Sequence, residues 1–148
     1  MRGQAGETRV LATLRRLLLA TLAIGAVGTA AELLLLEHYE SALQYAPLVL
    51  LAVGIAAIGW HAATSSARSV VALQVVMVLF LASGALGVAL HFKGNVEFEL
   101  ELHPGVTGGE LVLNTLMGAT PVLAPGSMAL LGLIGLAYTY RHPAAYSQ

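Results

Sequence analysis

The stretch "LLLATLAIGAVGTAAELLLL", residues 17–36, decides the fold. Its 20 residues carry a single ionisable group, Glu32. About 20 apolar residues are what an α-helix needs to cross a hydrocarbon core roughly 30 Å thick, and a secretory signal core is shorter. The run therefore reads as a spanning helix rather than a cleaved leader. Working outward, the same character fills the chain. Of 148 residues, 57% are hydrophobic and 10% charged, with a mean hydropathy of +0.80. Soluble domains carry about 25% charged residues, so this is the composition of an integral membrane protein.

Four apolar segments are predicted to span the bilayer as helices, at about 11–36, 46–62, 70–91 and 125–140, within one membrane domain covering residues 1–148. Helices are required because a lipid-exposed backbone must satisfy its own donors and acceptors. All six arginines (Arg2, Arg9, Arg15, Arg16, Arg68 and Arg141) fall on one side of this map, and the only lysine, Lys93, falls on the other. Basic residues favour the cytoplasmic side, which puts both termini there. A bacterial inner (plasma) membrane is the expected location. The opposite side carries Glu37, Glu40, Glu97, Glu99, Glu101 and Glu110, with His38 and His103.

Residues 22–40 and 81–99 align with seven of nineteen pairs identical, sharing the frame Gly-x-x-Gly-x-x-x-polar: Gly25, Gly28, Glu32 and Gly84, Gly87, His91. "APLVLLAVG" at 46–54 likewise matches "APGSMALLG" at 124–132. These matches read as a tandem duplication of a two-helix hairpin, giving a four-transmembrane-helix bundle with a pseudo-twofold axis along the membrane normal. Glycine on a membrane helix marks close helix approach, so spans one and three are expected to pack through these glycines. That packing turns Glu32 inward and sets it at the depth of His91. An intramembrane carboxylate needs a partner, and His91 is the predicted one.

In the outer loop, 92–124, "VEFELELH" alternates apolar and polar residues and predicts a short extracytoplasmic strand. Thr107 and Glu110 have the spacing of a capping box opening a short interfacial helix, with Gly118 at its end.

No cysteine is present, which removes thiolate chemistry. Near-neutral charge gives no footing for nucleic acid. No nucleotide loop or catalytic signature occurs, so enzymology is not favoured. Glu32, His38, His91 and Glu97 form the candidate metal set, because imidazole with carboxylate suits zinc, copper or iron. Haem is disfavoured, since the histidines lie at span ends and nothing marks a propionate pocket. The function expected is a binding or accessory role, with an acidic, His-containing outer face offered to a partner or cation. The partners expected are the lipid bilayer and a membrane protein or a second copy of the chain. The alternative is a redox or metal-handling protein using the outer ends of spans one and three. A small proton-coupled transporter comes third, since its coupling carboxylate belongs nearer the midplane than Glu32.

Overall fold

A computed structural model of the chain describes the backbone of residues 2–146 and the side chains of residues 9–146. The side chain of Arg2, one of the six arginines behind the orientation, lies outside the described residues. The elements are α1 (Arg2–Leu35), α2 (Ala42–Thr64), α3 (Ala67–Leu102), α4 (Gly108–Leu116), α5 (Gly126–Thr139) and a 3₁₀ turn at Pro143–Ala145. Three helices, within Arg9–Leu35, Ala42–Thr64 and Ala67–Leu102, are long and apolar enough to cross a membrane. The protein is all-helical, and its apolar helices are suited to contact with a lipid bilayer.

Helix ends follow local chemistry. Glu37 closes α1 in the left-handed region at φ 53°. The amide of His38 reaches Leu33 O at 2.9 Å, and that of Glu37 reaches Leu34 O at 3.2 Å. This is the paired bonding of a Schellman motif, which usually uses glycine at that position. Ser65, at φ 44°, ends α2 in the same backbone region. Ser66 then opens α3: its Oγ accepts from the Ser69 amide at 3.2 Å, while the Ser66 amide donates to Ser69 Oγ at 3.1 Å.

No strand occurs among the described residues, and residues 96–102 are the last turns of α3. This corrects the predicted strand. The eight-residue alternation is also compatible with a helix, since Lys93, Glu97 and Glu101 fall on one helical line. Lys93 Nζ lies 3.2 Å from Glu97 Oε1 along it. Glu and Leu are good helix formers, and the first strong stop signal after Ala67 is Pro104-Gly105. Helix already under way therefore continues. Thr107 does precede α4, but its side chain makes no capping hydrogen bond, so the Thr107–Glu110 box is not formed.

Helices α1, α2, α3 and α5 make a closed ring of contacts: α1 touches α2 and α5, and α3 touches α2 and α5. Leu22, Leu51, Leu73, Met77 and Phe80, all fully buried, fill the space between them. Among the described residues the backbones of α1 and α3 do not approach one another closely. The expectation that spans one and three pack through their glycines is corrected accordingly. Gly25 faces Leu131 of α5, nothing lies against Gly28, and Gly84 and Gly87 face Ala129 and Pro125. The close approach those glycines permit is made with α5.

The α3–α5 interface is an antiparallel hairpin whose second arm is interrupted. Gly135 lies against Met77, Gly132 against Met77 and Leu81, and Gly84 against Ala129. Further out, Pro125 meets Gly87, Pro121 meets His91, and Thr120 and Thr115 meet Asn95. The register is continuous from α5 through residues 117–125 into α4. Thus α4 and α5 are two pieces of one arm alongside α3, broken where Pro121 and Pro125 remove backbone donors.

Candidate functional site

A broken helix frees backbone groups that need partners, and α3 supplies them. Asn95, 2% exposed, donates from Nδ2 to Thr115 O at 2.9 Å and to Thr120 O at 2.7 Å. Its Oδ1 accepts from Thr120 N at 3.2 Å and from Thr120 Oγ1 at 2.7 Å. All four bonding positions of the amide are used. One turn below, His91 Nδ1 donates to Pro121 O at 3.2 Å.

This places the predicted outer residues. Glu32 is exposed, and no hydrogen bond joins it to His91 among the described residues, which corrects the expected inward carboxylate. The cause is the shortness of α5. Gly25 packs on Leu131, five residues from the start of α5, whereas Glu32 is seven residues beyond Gly25. At 1.5 Å per residue, Glu32 stands about 10 Å above that contact and α5 reaches only about 8 Å. The carboxylate clears the end of the helix that would have covered it. His38, carried by the turn after α1, lies with its ring centroid 6.3 Å from that of His91. Glu97 pairs with Lys93. Among the described residues no three His, Asp or Glu side chains are grouped as a metal site would need. Of the four candidates, the structure brings His38 and His91 near one another.

The opposite end holds a polar cluster that the sequence reading did not assemble. His61, 1% exposed near the end of α2, has Nδ1 at 2.8 Å from Ser69 Oγ and Nε2 at 2.7 Å from Tyr138 OH. The partners fix the direction of these bonds. Ser69 gives its one hydroxyl proton to Ser66 O at 2.8 Å, so its Oγ accepts from His61. His61 is therefore the Nδ1–H tautomer, and its bare Nε2 accepts from Tyr138. The chain runs Tyr138 to His61 to Ser69 to the Ser66 carbonyl, joining α5, α2 and α3. His142 packs on it, with ring centroids 5.1 Å from those of His61 and of Tyr138.

Arg15 reaches across from α1. Its Nη2 donates to Arg141 O at 3.1 Å and to Tyr140 O at 3.4 Å, tying the N-terminal half of α1 to the end of α5. Burial, with the neighbouring His61 ring and the Arg15 charge, pushes the His142 imidazole below its ordinary pKa. His142 Nδ1 accepts from the Ala144 amide at 3.3 Å, a bond only an unprotonated Nδ1 can take. A cleft of about 250 Å³ opens between α1 and the end of α5, lined by Arg15, Arg16, Leu19, Tyr138 and His142 among others.

A helical stripe in the sequence carried the missing signal. His61 lies seven residues from Gly54 and four from Ala57, both buried, so it continues the core face of α2. Tyr138 continues the line of Leu131 and Gly135 in the same way.

The chain matches no family model, and no curated protein or solved structure is significantly similar to it.

Proposed function

We propose that the chain is a small polytopic membrane protein with a binding or accessory role, presenting an acidic outer face to a basic segment of a partner protein. In this reading it crosses the membrane four times, α5 is the fourth crossing, and both termini are cytoplasmic. The observation that carries it is the length of α3. Its 36 residues extend about 54 Å against a hydrocarbon core of about 30 Å. Counted from Arg68, about 20 residues reach the level of Val88, and the rest of α3 stands beyond the lipid with α4 beside it. On this outer hairpin Phe98 is 45% exposed, Leu102 56% and Leu113 57%, next to Glu97, Glu99, Glu101 and Glu110. Apolar side chains held in water among carboxylates mark a surface for a protein partner. A photo-crosslinking residue at Phe98 or Leu113 in intact membranes is expected to give an adduct with a second protein. Glu97→Lys with Glu101→Lys should reduce its yield. Absence of any adduct at both positions would sink the reading.

The tandem duplication belongs to the same proposal. The ring sets α1 opposite α3 and α2 opposite α5, the arrangement a twofold rotation of two hairpins produces. Contacts have diverged within it. Gly84 faces α5, and symmetry would turn Gly25 to α2, yet Gly25 also faces α5.

A metal-handling role is the second reading, supported by the nearness of His38 and His91. Glu32 and Glu97 would have to move to complete the coordination. Retention of one zinc or copper per chain after dialysis, lost in His91→Ala, is the expected result. Equal metal content in both proteins would dismiss it.

A further inference from the structure

The cleft at the inner end has a chemistry that the outer-face reading does not use. Two guanidinium groups, Arg15 and Arg16, line it with Tyr138 and His142, while Ala12 and Leu19 supply an apolar wall. None of the described lining residues is a carboxylate. Arginines near the inner surface of a membrane protein ordinarily trail in the headgroups, and their presence alone says little. Arg15 differs because it is held. Nη2 is fixed on the carbonyls of Tyr140 and Arg141, so one side of the guanidinium is committed to the protein. A guanidinium has five N–H donors in a rigid plane, and the remaining ones are pre-aimed rather than free to wander. Behind it stands the Tyr138–His61–Ser69 chain, which locks the Tyr138 ring that forms the cleft wall.

We propose that this cleft binds a phosphate group, with Arg15 and Arg16 as its ligands. Planar guanidinium forks match the oxygens of phosphate in paired hydrogen bonds. The site lies at the basic end of the helices, where an anionic leaflet would present phosphodiesters, and basic pockets between membrane helices are suited to such headgroups. The apolar wall of Ala12 and Leu19 fits the glycerol and first acyl carbons of a phospholipid. A free phosphate would use the same two arginines and leave that wall bare.

The test uses full-length protein in detergent, stripped of lipid and titrated with phosphatidylglycerol, phosphatidylcholine or inorganic phosphate, with binding read by native mass spectrometry. Retention of phosphatidylglycerol over phosphatidylcholine, uncompeted by millimolar inorganic phosphate, identifies a lipid phosphate. Competition by inorganic phosphate identifies a free one. Both support the site only if Arg16→Gln weakens binding by about tenfold, the effect expected for one charged hydrogen bond. Arg16 is exposed, so this variant folds even if Arg15→Gln, which also loses the tie to α5, does not. Unchanged binding in Arg16→Gln, or no binding of either probe by the wild type, overturns the proposal.

Discussion

Asn95 grips Thr120 from both sides of its peptide, accepting from the Thr120 amide and hydroxyl on Oδ1 and donating to the Thr120 carbonyl from Nδ2. One side chain of α3 thus does for the 117–125 break what a continuous helix would have done for itself. Asn95→Ala removes these bonds and the one to the Thr115 carbonyl, which keeps the Gly118 amide at 3.3 Å as a donor. Thr120 is exposed and its freed groups can turn to water, so a loss of about 1–3 kcal/mol is expected from the side-chain hydrogen bonds. Thermal unfolding in detergent measures it. Hydrogen exchange should rise first in residues 117–125; unchanged exchange there would show that the break is held by other contacts.

How far the sequence reveals these features depends on which physical term governs each. Length and apolarity govern the spanning helices, and both are local, so 17–36 and the two other helices long and apolar enough to cross a membrane are legible. Residues 96–102 carry a pattern that satisfies two periods at once, and continuity with the preceding helix decides between them. Glu32 and His91 lie at corresponding positions in the aligned segments, but what each touches depends on where α5 begins. That is set by Pro125 and by the turn before it, residues remote in sequence from both. His61, Ser69 and Tyr138 come from three helices, and only their stripes hinted at a meeting.

The His61 chain supplies a second prediction. Tyr138→Phe removes the donor to Nε2 and leaves a buried acceptor bare, while Ser69→Ala removes the acceptor for Nδ1–H. Each should cost about 1–3 kcal/mol. The double variant should cost less than the two together, because one imidazole links both bonds. Nitrogen chemical shifts of His61 provide a separate check: the wild type should show the Nδ1–H tautomer, and a protonated Nε2 in the neutral ring would reverse the assigned direction of the chain.

Glycines in crowded and in open surroundings should respond differently. A methyl group added at Gly132 would stand 2.7 Å from Met77 O and 2.8 Å from Leu81 N. Both are backbone atoms of α3, so the helices must separate, and overpacking of this kind costs about 1–3 kcal/mol or more. Gly28 has nothing within 4 Å of the same methyl position. Gly28→Ala should therefore be neutral or raise stability by up to about 1 kcal/mol through helix propensity. Parallel melts of the two variants decide the matter, and equal destabilisation would mean that the Gly28 face is covered in the membrane.

Glu37 holds a left-handed backbone that glycine adopts without cost, φ 53°. Glu37→Gly keeps both Schellman hydrogen bonds and removes the steric penalty, worth about 1 kcal/mol. Stability should rise by up to that amount in a chemical unfolding series. A fall would show that the Glu37 carboxylate contributes more than its backbone costs.

The segment after α5 should loosen in acid, and His142 is the reason. Its folded-state pKa lies below the ordinary 6.5, so folding favours the neutral ring. An unfolded chain then binds more protons than the folded one in the interval between the two values, and stability rises with pH across it. The contribution is complete above about pH 6.5 and is lost as pH drops through the lower, folded value. Geometry gives the same sign: protonated Nδ1 becomes a donor, so the Ala144 amide loses this acceptor and the 3₁₀ turn at Pro143–Ala145 loses its cap. Repulsion from Arg15 adds to the effect. Asn at this position can still accept from the Ala144 amide and does not titrate, so His142→Asn should keep the turn and flatten its acid response. Hydrogen exchange across residues 142–146 between pH 7.5 and 5, corrected for the intrinsic pH dependence of exchange, reads both proteins. Equal loosening in wild type and His142→Asn would assign the response to another group.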